Sequence, residues 1–301
     1  MIKNLKKANI FGKYIFYYLS NDKYIGQRIA LEKYEPYETQ LILRQARVGD
    51  VVVDVGANIG YYTVLLADKI GKSGKVYAFE PDKTNFEILK KNIEVNDLKN
   101  VVAINAAVGK TEGKLKLHRS EENFGDHKLY ETHPPCGHPP LKKGGQKNLD
   151  EELVKIIKLD KYFKEGPSFA KASEGRRKID LLKIDTQGWE PEVIEGAKEL
   201  IRKNKPVMFL EYSPASYQQA KLNGKKMMDF LRKIYKKIWW IDEWLYIYKN
   251  LGQEKIDKIC ATNKTGYADL WTKKESGLID KIGQIRNLRV KQWIKRLLSG
   301  L

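Results

Sequence analysis

The sequence predicts an α/β domain built on a mostly parallel sheet with helices on both faces. Three observations predict it. From Val51 onward, short β-branched runs alternate with helical stretches of about 10–15 residues, the rhythm of crossover units. The runs VVVDVG and KVYAFEP are nearly continuous in apolar residues, as strands covered on both faces are. A turn with two glycines, GANIG, joins the first of these runs to the helix that follows.

Taken in order, the first 45 residues carry YIFYYL and a Glu/Tyr-rich helix start, which predict a cap packed on the sheet. VVVDVG, YYTVLLADKI, KVYAFEP, TNFEILKKNIEVND and VVAINAAVG then read as strand, helix, strand, helix, strand. After Val108 the turn GKTEGK and the run KLKLHRS suggest a hairpin strand, and Phe124 to Asp150, rich in His, Pro, Gly and Lys, reads as loop. LDKYF precedes a second polar stretch, Lys164 to Lys178, before the strand IDLLKID. WEPEVIEGAKELIRK is a helix, PVMFLEY a strand, YQQAKLNGKKMMDFLRKIYKK mainly helix, and IWWIDEW and YADLWTKK the last strands. The expected organisation is a cap over 1–45 and a main domain over 46–275 with polar inserts near 134–149 and 164–178. A basic amphipathic helix over 276–301 follows, either docked on its own domain or lying on an anionic membrane surface.

Composition narrows the class. With 301 residues, 56 Lys+Arg against 38 Asp+Glu and 42% hydrophobic side chains, the chain is an ordinary globular one carrying +18. No apolar run approaches the roughly 18 residues of a membrane span. Cys136 and Cys260 form no disulfide framework, and the basic start lacks the apolar core of a signal peptide, so a reducing, cytoplasmic setting is expected. His133, Cys136 and His138 lie close together in HPPCGH, but no second ligand pair with finger-like spacing follows, so no metal site is expected.

The glycine turn carries the chemistry. Gly56 and Gly60 permit close approach of a ligand to the helix N-terminus, while Asp54 at the strand end attracts a cation rather than a pyrophosphate. The spacing D-x-G-x-N-x-G departs from the G-x-G-x-x-G of dinucleotide folds. At the end of the next strand, Glu80 is placed to take the two hydroxyls of a ribose. A nucleoside with a positive centre and no phosphate points to S-adenosylmethionine, with Asn105, Ala106 and Ala107 placed to line the adenine.

On these motifs the sequence resembles the FkbM-type family of class I S-adenosylmethionine-dependent methyltransferases, which act mainly as O-methyltransferases. The resemblance runs from Tyr34 to Tyr212 through YEPYETQLILRQARVGDVVVDVGANIGYYT, VYAFEPDKTNFEILKKNIEVN, NAAVG, NFGDH, LDKYF and IDLLKIDTQGWEPEVIEGA. It implies a Rossmann-like, seven-stranded sheet with the last strand antiparallel. It also carries cofactor contact onto Asp54, Gly56, Asn58, Gly60, Glu80, Asn105 and Ala106. The long polar inserts depart from the family pattern and bear on the acceptor side.

For catalysis, Asp185 at the end of IDLLKID is the expected base or acceptor-positioning group, with a helix-capping role as its alternative. Lys183 shares its strand face and is placed to pair with it. Glu211, ending PVMFLEY, also sits at a carboxyl strand end, and His127 in NFGDHKLYE suits proton transfer near neutral pH. The expected activity is O-methylation of a hydroxyl, on a sugar of a cell-surface glycan or lipid-linked precursor at the inner membrane face. The net charge keeps a nucleic-acid (RNA) methyltransferase as a rival, although no N-P-P-aromatic segment for a flipped base is present. A non-catalytic cofactor-binding scaffold is the second rival.

Overall fold

The computed structural model describes residues 2–119, 127–129, 152–165, 178–242, 247–262 and 267–272. The inserts at 134–149 and 164–178, the HPPCGH stretch and the segment 276–301 lie almost wholly outside the described residues. Among the described residues no helix is long and apolar enough to cross a membrane, and no His/Cys/Asp/Glu cluster is arranged to hold a metal ion.

A central sheet of eight strands has the order β12-β11-β13-β10-β9-β3-β4-β5. The strands are β3 (Val51–Val55), β4 (Lys75–Phe79), β5 (Val101–Ile104), β9 (Leu181–Ile184), β10 (Val207–Tyr212), β11 (Ile238–Asp242), β12 (Ile247–Asn250) and β13 (Ala268–Thr272). The run from β5 to β10 is parallel, and β13 lies antiparallel between β10 and β11. This is the expected α/β class, with the seven expected strands and one more: β12 pairs back on β11 as an antiparallel edge. A small sheet, β6-β8-β7, is built from β6 (Ala107–Val108), β7 (Gly113–Leu117) and β8 (Glu152–Ile157). Its inner side buries Leu117, Val154 and Ile156.

Strand parity divides the core. Val51, Val53 and Val55 face a cluster that includes Val193 and Ile194 of helix Glu190–Gly196 and Met228 and Leu231 of helix Gly224–Ile234. Val52 faces the opposite cluster, with Leu65 and Leu66 of helix Tyr61–Ile70 and Leu41 and Ile42 of helix Pro36–Gln45. The same period of two puts Leu182 and Ile184 on the first side, and Leu181 and Phe209 on the second. Every residue two places from Val52, Leu181 or Phe209 therefore points toward the second face, where the polar site forms.

The cap expected over 1–45 begins as a hairpin, β1 (Leu5–Ile10) with β2 (Tyr14–Leu19). The hairpin packs on helix Lys83–Val95 through two asparagines. Asn92 accepts from the Tyr17 N–H at 2.6 Å and donates to its carbonyl at 3.0 Å, while Asn96 does the same for Ile15 at 3.0 and 2.8 Å. Each amide thus mimics a neighbouring strand and satisfies an edge that would otherwise be left unpaired.

Candidate active site

Two adjoining cavities open at the carboxyl ends of β3, β4, β9 and β10. The narrower is walled by Phe79, Glu80, Ala106, Val108, His127 and Trp189, among others. Glu80 is buried there, accepting the N–H of Asn58 on one oxygen and of Asp82 on the other, both at 2.8 Å. Burial pushes its carboxyl up to about 8, although these two donors and neighbouring charges act on it as well. Asp82 caps helix Lys83–Val95 through Asn85 N–H at 2.8 Å and pairs with Arg119 at 2.6 Å, so the strand end carrying Glu80 is anchored from both sides.

The larger cavity, about 190 Å³, is lined by carboxylates and tyrosines. Parity explains why. Asp54 lies two residues after Val52, and Lys183 two after Leu181, and the two are register partners in the β3–β9 pair. Glu211, two after Phe209, is the register partner of Asp269 in the β10–β13 pair. Helix Pro36–Gln45 adds Glu38, and Glu35 just before it lies in a left-handed conformation with φ 37°. Glu35 accepts a hydrogen bond from Tyr62 Oη at 2.8 Å.

Lys183 Nζ contacts Asp185 at 3.1 Å and lies 4.7 Å from the centre of the Tyr62 ring. Burial disfavours its charge, but Asp185, Asp54, Glu38 and Glu35 outweigh it and raise the lysine above its ordinary value. Lys183 is therefore an ammonium that holds the acidic row together. Glu211 goes the other way: burial first, then Asp185, Glu190 and Asp269, push it well above the usual carboxylate range. Gln187, at φ 53°, bridges the two carboxyls by donating to Asp185 at 2.8 Å and Glu211 at 3.1 Å.

The residues present fit the expected cofactor. Asp54 is buried and lines the larger cavity; its Oδ2 accepts from Thr63 Oγ1 at 2.6 Å, while Oδ1 has no hydrogen-bond partner. A buried carboxylate oxygen left without a donor is costly, and an ammonium or amine in the cavity would satisfy it. Gly56 and Asn58 wall both cavities, and would lie between a nucleoside held at Glu80 and an amine held at Asp54.

Three expected residues take other places. Gly60 lines neither cavity; at φ 91° it caps helix Tyr61–Ile70 and lets Leu89 pack against it. Asn105 is exposed and gives its amide to the carbonyls of Glu80 and Pro81 at 2.8 and 3.0 Å, bracing the strand end rather than lining the cavity. His127 sits on the nucleoside cavity, 3.8 Å from Asp82, and is not among the side chains lining the acidic one. Lys183 stands where expected, paired with Asp185; being charged, it positions that carboxylate and takes up no proton itself. Sequence reasoning passed over Glu35, Glu38, Tyr62, Thr63 and Asp269. The stretch YEPYE was legible as a helix start, and only the packing of that helix on the sheet brings its acids to the site.

Asn92 links the hairpin to this site. Besides Tyr17, it donates to the carbonyl of Ile59 at 2.7 Å, inside the glycine turn whose Asn58 N–H holds Glu80. Asn96 docks the same hairpin and reaches only its own helix besides. Asn92→Ala is expected to weaken cofactor binding about tenfold, and Asn96→Ala to lower the melting temperature with cofactor affinity within about twofold, as titration calorimetry and thermal melts would report.

A glycine-turn strand end whose aspartate keeps one oxygen without a donor, a buried glutamate at the next strand end and a parallel sheet closed by an antiparallel strand define a class I methyltransferase domain. Residues 54–246 match the methyltransferase FkbM domain, and the chain belongs to that family. Methyltransferase sdnD of Sordaria araneosa is 30% identical over 168 residues, 49% of this chain and 60% of that protein. The 2-O-methyltransferase NoeI of Sinorhizobium fredii is 24% identical over 195 residues, covering 64% of this chain and 75% of its own. A crystal structure of methyltransferase FkbM from Methylobacillus flagellatus KT superposes with a TM-score of 0.39 at 14% identity, covering 76% of this chain and 44% of that one. The chain thus spans 60% of the length of sdnD, and 57% of that of Methyltransferase 1 from Beauveria bassiana.

Proposed function

We propose that the chain uses S-adenosylmethionine to methylate a hydroxyl group of a sugar. The observation that carries this reading is the place of Asp185: it is the ionisable side chain shared by the nucleoside cavity and the acidic cavity, at the point where donor and acceptor must meet. When bound, the cofactor supplies an electrophilic methyl group on a sulfonium, whose sulfur leaves as a neutral thioether. What remains for the protein is alignment and a destination for the hydroxyl proton. Asp185 provides that destination as the O–H bond breaks and the O–C bond forms, while Lys183 and Gln187 fix its two oxygens.

The sugar part rests on the cavity's chemistry. Carboxylates and tyrosine hydroxyls are acceptors suited to a ligand rich in hydroxyl donors, and the same carboxylates repel a phosphate-lined nucleic acid. That NoeI is named a 2-O-methyltransferase agrees with this reading.

The test is a calorimetric titration of the native chain and of Glu80→Gln with S-adenosylmethionine, followed by methyl transfer to a panel of neutral methyl hexosides. The native chain is expected to bind, and Glu80→Gln to bind roughly 10–100-fold more weakly. Because Glu80 accepts hydroxyl donors best as a carboxylate and is raised to about 8, native affinity should tighten as pH rises through about 8, and this dependence should vanish in Glu80→Gln. A folded native chain that binds no cofactor, or that binds it and methylates no hydroxyl, would overturn the proposal.

A further inference from the structure

One wall of the acidic cavity comes from the N-terminal segment. Tyr24, Ile25, Arg28, Tyr34, Glu35 and Glu38 all line it, and all precede the stretch matched by the family at residue 54. This wall is built. The buried Asp22 accepts the N–H groups of Tyr24 and Ile25 at 3.1 Å and of Gly26 at 2.9 Å, starting helix Gly26–Ala30 in a fixed direction. Gly26 sits against Tyr18 and the Leu19 carbonyl, where an added Cβ would approach within 3.1 Å, and Ile29 of the same helix is fully buried. Glu32 then accepts the Phe11 N–H at 2.7 Å and ties the turn back to the hairpin.

The charges of the cavity are zoned. Its interior holds the acids Asp54, Asp185, Glu211 and Asp269, with Lys183 as counter-ion to Asp54 and Asp185. At the outer wall, Arg28 is exposed, and the one hydrogen bond recorded for its guanidinium is a long one, 3.4 Å, to the Lys33 carbonyl. Among the described residues it makes no ion pair, despite the carboxylates of the same cavity. Tyr24 beside it is 51% exposed, a flat apolar face with a polar tip at the edge of the opening.

Resting on the sugar reading above, we infer that Arg28 and Tyr24 form an outer subsite for an anionic group carried by the acceptor beyond the ring that is methylated. The interior carboxylates exclude an anion, so a charged acceptor can enter in one orientation: neutral ring inward, anionic group outward on the guanidinium, with Tyr24 against the ring or linkage between them. An exposed guanidinium with unused donors suits a phosphate or carboxylate bidentately. The acceptor is therefore a sugar joined to a phosphate or to an acidic sugar.

The chain saturated with S-adenosylhomocysteine would be titrated calorimetrically with matched ligands in the gluco, galacto and manno series: methyl hexosides, hexose 1-phosphates and hexuronic-acid disaccharides. In at least one series the anionic member should bind about tenfold or more tightly than the neutral one, with the phosphate and uronate arms telling the two sources apart. Arg28→Gln should bring the two within about twofold while leaving neutral-hexoside and S-adenosylhomocysteine affinities unchanged. Tyr24→Ala should weaken neutral and anionic ligands alike. Neutral ligands that bind as tightly as anionic ones, or a preference that survives Arg28→Gln, would overturn this inference and leave the sugar reading standing. Binding of no ligand in any series would overturn both.

Discussion

Gly56→Ala is expected to abolish measurable cofactor binding and to lower the melting temperature by on the order of 10 °C. A Cβ at Gly56 would lie 1.8 Å from the backbone oxygen of Asp185 and 2.9 Å from its carbonyl carbon, at a φ of +80° that alanine resists. Neither obstacle can move aside. The Asp185 N–H is bonded to the Val55 carbonyl at 3.0 Å, and the N–H groups of Gly56 and Ala57 both donate to the Phe79 carbonyl at 3.0 Å. Added bulk must therefore separate β3 from β9 or twist the turn away from β4, at a cost of roughly 2–5 kcal/mol. Either movement also displaces Glu80 from Asn58 N–H and Asp185 from the junction of the two cavities. Gly60→Ala controls for the clash, because it shares the left-handed backbone at φ +91° while its Cβ would meet the movable Cδ1 of Leu89 at 2.5 Å, with Leu89 backbone no nearer than 3.8 Å. Thermal melts and titration of both variants would check this, and a Gly56→Ala chain that melts and binds like the native one would refute it.

The parallel strands were legible as strands, though not their order in the sheet, because they read as nearly continuous apolar runs. Val51–Val55 is buried at every position, and Lys75–Phe79 at every position after Lys75. The edge was less legible: β12 is four residues long, IYKN, and helix Gln253–Thr262 follows it with mixed polarity, so neither gives a strong periodic signal. For the site, the strand-end acids Asp54, Glu80, Asp185 and Glu211 were readable from their positions at the close of apolar runs. Their grouping was not. It depends on register, which pairs Asp54 with Lys183 and Glu211 with Asp269, and register is a property of the assembled sheet. Glu35 and Asn92 were hidden for a related reason. A glutamate in a left-handed turn and an asparagine inside a helix look like surface residues until a tyrosine hydroxyl and a hairpin edge are found against them.

Asp185→Asn is expected to lower kcat by about 10²–10⁴-fold while cofactor affinity stays within about threefold. The two carboxyls bridged by Gln187 are not equivalent as proton acceptors. Glu211 is buried and held well above the usual carboxylate range, so the charged form that would accept a proton is disfavoured there. Asp185 has its side chain one quarter exposed, faces both cavities and sits 3.1 Å from the Lys183 ammonium, which can steady charge there throughout the reaction. Asparagine keeps the shape and can still accept from Lys183, but it cannot take the hydroxyl proton. A capping role for Asp185 would give a different result. The N–H groups at the start of the following helix are served by Glu190, which accepts from Thr186 at 2.8 Å and from Gly188 at 3.1 Å, so stability should change little in Asp185→Asn. Glu211→Gln should preserve the Gln187 bridge in part and cost no more than about tenfold in kcat. Parallel rate and melting measurements separate the cases: a large loss of kcat with an unchanged melting temperature assigns proton acceptance to Asp185. Unchanged kcat in Asp185→Asn would transfer the role to another acid of the row or remove catalysis from this cavity altogether.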